Sequence, residues 1–233
     1  MARKASSLMD QMTFSMYPEL TLELLKQAAK AFATDITDRP IPELFGVTDG
    51  KAVGTYIEQS FRSYLKNRFT FLAGNSASGI DLPDLQIDLK TTSISQPQSS
   101  CPFKDASQKV YGLGYDLLIF VYDKRDDHAS HTAILKILHT IFVERSRTAD
   151  WQTTMGIAGI LDRNGNKDDL VGFLEERNLP LDEIGRIQLA ERILRQRPAI
   201  GYLTISNALQ WRLQYNRAIE IASKVEGVER LNE

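Results

Sequence analysis

Cysteine is almost missing from this chain: Cys101 is the only one in 233 residues. A lone thiol closes no disulfide framework, which points to a reducing, cytoplasmic setting. Histidine is scarce too, at three residues. Three histidines and one cysteine argue against a zinc site of the usual composition. No apolar run approaches the roughly 20 residues that span a bilayer. None follows Met1-Ala2-Arg3-Lys4-Ala5 as a secretion signal would. Charge of one sign is also lacking, since 28 Lys and Arg against 30 Asp and Glu leave a formal −2. Contact with nucleic acid must therefore come from a local basic patch rather than from bulk charge.

What remains is the composition of an ordinary soluble protein, 42% hydrophobic and 25% charged. The length suits one large domain or two small ones. Residues 19–33 carry an apolar stripe at helical spacing (Leu20, Leu24, Leu25, Ala28, Phe32) and predict an amphipathic helix. A second helix starts near Thr48-Asp49 and runs through Val53, Ile57, Phe61, Tyr64 and Leu65. Gly54 inside it costs about 1 kcal/mol relative to alanine, which suggests a close-packing reason for it. Glu58 lies at the edge of the buried stripe, and taken alone it reads as an exposed helix residue.

The densest stretch of chemistry is residues 79–91. From Leu85 the residues Leu85, Ile87 and Leu89 alternate with Gln86, Asp88 and Lys90, so this is a strand with Asp88 and Lys90 on one face. Pro83 breaks the chain just upstream, letting Asp81 fold back beside Asp88. Two carboxylates brought together repel unless a cation lies between them, and Mg²⁺ favours carboxylate and water oxygens. Asp84 competes with Asp81 for this role, because it has the strand parity of Asp88; as the residue after Pro83 it can instead close the turn. A Ser/Gln/Pro-rich loop over 93–101 follows and is a candidate for substrate contact.

Residues 116–122 form the strongest strand, nearly all apolar and so central to a sheet. The charge run Asp123-Lys124-Arg125-Asp126-Asp127 reads as a solvated turn, with facing the site as the alternative for Lys124 at the strand end, and residues 132–143 read as the next strand. Beyond 148 no convincing strand is seen, and helices are expected at 151–161, 168–177 and 182–197, with two short ones over 204–225. Between 177 and 217 lie seven arginines, no lysine and three acids. Such arginines suit bidentate contact with phosphate or guanine, or simply a solvated helix surface.

Two resemblances add to this reading. Gly50-Lys51-Ala52-Val53-Gly54-Thr55-Tyr56-Ile57-Glu58, then Asp81-Leu82-Pro83-Asp84-Leu85-Gln86-Ile87-Asp88-Leu89-Lys90-Thr91, resembles the PD-(D/E)xK nuclease superfamily. The likeness is to the branch of the mismatch-repair nickase MutH and its restriction-enzyme relatives. It covers roughly residues 50–91 and departs from MutH in having Asp88 in place of a glutamate. It implies an α/β (α+β) fold, a mixed sheet flanked by helices, and a Mg²⁺-dependent endonuclease acting on double-stranded DNA. Asp81 and Asp88 would be metal ligands, Glu58 the helix carboxylate near the metal, and Lys90 the catalytic lysine. A type II restriction endonuclease, monomer or homodimer, with a cognate methyltransferase in the cell, is the expectation. A MutH-like nickase or repair endonuclease, or a non-catalytic helix-turn-helix DNA-binding protein, are the alternatives.

The second resemblance is at the C-terminus. Residues 204–218, with Arg212, Gln214, Tyr215, Asn216 and Arg217, resemble the DNA-reading helix-turn-helix of the FtsK translocase gamma domain. That likeness implies DNA contact by Arg212, Gln214, Asn216 and Arg217. The expected layout is a nuclease core over 1–150, then an all-helical DNA-recognition region over 151–233 with its helix-turn-helix at about 204–225.

Overall fold

The computed structural model describes residues 17–74, 79–101, 104–206 and 211–232. In chain order the elements are α1 (Leu22–Ile36), β1 (Pro40–Ile41), α2 (Gly50–Lys66), β2 (Ile87–Ser93), β3 (Gln98–Ser100), α3 (Gln108–Tyr111), β4 (Asp116–Asp127) and β5 (Thr132–Val143). They continue with α4 (Trp151–Asp162), α5 (Lys167–Glu176), α6 (Glu183–Arg195), β6 (Thr204–Ile205), β7 (Arg212–Gln214), α7 (Asn216–Ile221) and β8 (Val228–Arg230). Among these residues no helix is long and apolar enough to cross a membrane.

The apolar run at 116–122 is the inner part of β4, which lies between β5 and β2 in a mixed sheet of order β1-β5-β4-β2, with β8 also paired to β5. β2 runs parallel to β4, whereas β5 is antiparallel to it. Alternation along β4 feeds two cores. Leu118, Phe120 and Tyr122 pack with α1 and α2, while Leu117, Ile119 and Val121 face Leu203, Leu213 and Tyr215. Phe32 of α1, Phe61 of α2 and Phe120 meet edge-on or tilted, with ring centroids 5.0–5.6 Å apart, a geometry that adds to simple area burial. A third cluster, built on Ile157, Leu170, Leu174 and Ile193, holds α4, α5 and α6 together. The fold is the expected α/β mixture of sheet and flanking helices.

Two local expectations are corrected. The charge run 123–127 is strand rather than turn, because β5 is as long as β4 and pairs with it out to Asp127↔Thr132. The C-terminal region is not all-helical. β6 and β7 form an antiparallel pair, β7 also pairs with β3, and β8 joins β5. Among the described residues, the helix-turn-helix expected at 204–225 gives way to this strand pair and the six-residue α7; residues 207–210 of that motif lie outside the described residues. The physical reason is the period: Ile205, Trp211, Leu213 and Tyr215 are buried while Arg212 is exposed. That alternation of two belongs to strands and not to helices.

Candidate active site

The site begins with α2. Asp49 caps it, accepting from the Lys51 amide at 3.0 Å, and Val53, Ile57, Phe61 and Leu65 bury one face. Gly54 lies on β2: a methyl group there would sit 3.7 Å from the Thr91 Cβ and carbonyl oxygen. The helix is thus close enough to the strand for Glu58, one turn on, to reach its charged groups.

The turn after Ile80 supplies the next group. Leu82 and Ile87 exchange backbone hydrogen bonds at 3.0 and 3.1 Å, closing a tight loop around Pro83. The fold-back brings the Asp81 carboxylate to β2, where it accepts from the Leu89 amide at 2.8 Å. Its other oxygen accepts from Arg62. Asp88 is buried on β2, 2.8 Å from the Lys90 ammonium. Asp81 is near enough to Asp88 for its negative charge to raise the Asp88 carboxyl. Asp84 turns the other way, is exposed, and accepts from the Leu72 amide at 3.2 Å.

The electrostatics follow from this crowding. Burial raises the Glu58 carboxyl to about 7, with the negative charges of Asp81 and Asp88 adding to it and Lys90 and Arg62 opposing it. Burial raises Asp88 to about 6 despite Lys90 beside it. For Lys90, burial works against the ammonium, but Asp88, Asp81 and Glu58 outweigh it and hold the group above its ordinary range. Three acids thus share a half-buried space with two cations. No group of three or more His, Cys, Asp or Glu among the described residues is arranged to hold a metal ion; Asp81 is paired with Arg62 and Asp88 with Lys90.

Arg62 was not anticipated. It lies four residues after Glu58 and so on the same flank of α2, a signal visible in the sequence. Its partner 19 residues on is set only by how α2 packs on β2.

A cleft of about 1210 Å³ opens beside Glu58. Its walls are the start of α2, Thr91 and Thr92 of β2, the 93–100 segment, Tyr122 and Lys124 of β4, and Arg212. The four residues expected to touch DNA are divided. Arg212 and Gln214 lie on β7, with Arg212 exposed in the cleft. Asn216 is exposed at the start of α7, whereas the Arg217 guanidinium stacks 3.5 Å over the Trp151 ring. Most of the arginine-rich segment is likewise engaged within the chain. Arg177 donates to Gln152, Arg186 to the Leu181 carbonyl and Arg197 to Asp162, while Arg192 lies over Tyr111.

The family model for the type II restriction enzyme NspV matches residues 19–230, a span that contains every element above. A protein of Nostoc sp. (strain ATCC 29411 / PCC 7524) described as type II restriction enzyme NspV is 60% identical over 209 residues, covering 90% of this chain and 95% of its own length. No solved structure matches. On the family model and this identity together, the chain belongs to the type II restriction enzyme NspV family.

Proposed function

We propose that this type II restriction endonuclease, a hydrolase of phosphodiester bonds in double-stranded DNA, cuts through a PD-(D/E)xK site made of Asp81, Asp88, Lys90 and Glu58. Family membership carries the activity. One observation carries the site: the fold-back that hangs Asp81 on the Leu89 amide beside the Asp88–Lys90 pair.

Three carboxylates are the oxygen donors that a hard divalent cation takes, Mg²⁺ foremost. Glu58 and Asp88 are driven toward protonation by burial and by the negative charge of Asp81, and a cation among them relieves both. Asp81 and Asp88 would hold it, with Glu58 as a further or water-mediated ligand. When bound, such an ion supplies Lewis-acid charge and a more acidic water.

The chain's own groups do the rest. Lys90 stays protonated beside Asp88, so it donates: it orients the attacking water and offsets charge growing on the phosphate, rather than abstracting a proton. Arg62 neutralises Asp81 and competes with a cation for it. A cognate methyltransferase is the cellular counterpart, protecting host DNA without forming a stable complex.

The test is purified protein with phage DNA and Mg²⁺. Discrete fragments with wild type and none with Lys90→Ala are expected. Equal cutting by both would discard the assignment.

A further inference from the structure

We infer that the outer face of the small β3–β7–β6 sheet reads base edges in the major groove, with Arg212 specifying guanine and Gln98 specifying adenine. The inference rests on the endonuclease activity and names the specificity-determining surface of that enzyme.

The argument starts from strand parity. Ser99 pairs with Leu213 and Ile205 pairs with Leu213. Leu213 and Ile205 are buried in the second core, and Ser99 bonds the Tyr215 hydroxyl. The residues between them must therefore face the other way. Gln98 pairs with Gln214, Ser100 with Arg212, and Thr204 with Gln214, so Gln98, Ser100, Thr204, Arg212 and Gln214 share one face.

That face is made of two amides, two hydroxyls and a single cation. Its chemistry is that of base-edge recognition rather than phosphate tracking, which relies on many cations. Arginine reaches the guanine O6 and N7 with two donors, and glutamine matches the adenine N6 and N7. A β-ribbon fits the major groove. Alternate residues on a strand are about 6.8 Å apart, close to two base-pair steps of about 3.4 Å each.

Position connects this face to the chemistry. Gln98, Ser100 and Arg212 line the same cleft as Glu58. β3 begins five residues after β2 ends. Thr92 of β2, two residues past Lys90, accepts from the Gln98 amide at 2.9 Å. The reading strand is thus bonded directly to the cutting strand. Lys124, which also lines the cleft, is paired with Asp126.

The test uses the full chain with Mg²⁺. Sequencing the ends of fragments from phage DNA first defines the site cut by wild type. Wild type, Arg212→Ala, Arg212→Lys and Gln98→Ala are then each given that duplex and a set of duplexes changed at one base pair. Both Arg212 variants should lose discrimination at a G·C pair by about 10–100-fold, since lysine keeps the charge but not the two-donor fork. Gln98→Ala should relax an A·T pair by a similar factor. Thermal melting confirms that each variant is folded, and Arg212, being exposed, should tolerate both changes. A uniform slowing on every duplex, or restored discrimination in Arg212→Lys, would overturn the inference. If wild type makes no discrete fragments, the nuclease reading fails instead, so the two failures are distinct.

Discussion

Glu58→Gln should make the metal-free protein more stable, and by an amount that depends on pH. The Glu58 carboxyl is raised by burial, then by Asp81, from 4.5 to about 7. The folded state therefore holds this proton more tightly than the unfolded chain does. Its stability is fully present below about pH 4.5 and is lost as pH rises through about 7. Well above that point, keeping Glu58 ionised costs about 3 kcal/mol, at about 1.4 kcal/mol per tenfold change in proton affinity. At about pH 5 the cost is below about 1 kcal/mol, because the folded group is already neutral. Glutamine has nearly the same shape and carries no charge. In a chelator, thermal melting should place the variant about 6–12 °C above wild type near pH 8.5, and within about 4 °C near pH 5. Cleavage by the same variant with Mg²⁺ should fall. An equal shift at both pH values, or a lower melting point near pH 8.5, would refute the crowding of charge described for this site.

Other outcomes follow from the same geometry. Arg62→Leu leaves Asp81 without its counter-charge; it should lower the melting point in chelator, and Mg²⁺ should raise that point more than it does in wild type. Chelation should stop cleavage and Mg²⁺ should restore it, read as fragments on a gel. Gly54→Ala places a methyl group in ordinary contact with Thr91 and should be neutral or stabilising by up to about 1 kcal/mol. Gly54→Val should push α2 off β2 and reduce cleavage more than stability, measured as the rate at saturating Mg²⁺ against the melting point.

The parts of the fold that follow local rules could be read before the structure. β4 is apolar enough, and α2 periodic enough, to be placed from pattern alone. Pro83 announces the turn that returns Asp81 to Asp88. The parts that escaped depend on partners far along the chain. β6, β7 and β8 have two or three residues each, too short for the alternation at 211–215 to outweigh the helical spacing on either side. They exist because β3 and β5 offer them backbone hydrogen bonds. The charges at 123–127 look like a loop until β5 is seen to pair with them. Arg62 shares a flank of α2 with Glu58, a spacing the sequence shows, but its partner Asp81 is fixed only by tertiary packing. Arg177, Arg192 and Arg217 looked available to DNA and instead serve the chain's own side chains.

The pairing of β3 with β7 joins residues 98–100 to residues 212–214. Engineers who trade specificity between related enzymes often swap one contiguous block. Here such a graft would carry half of a hydrogen-bonded ribbon and leave its complement in the host. A successful chimera of this family needs both segments from one parent, together with Thr92 that anchors the first of them.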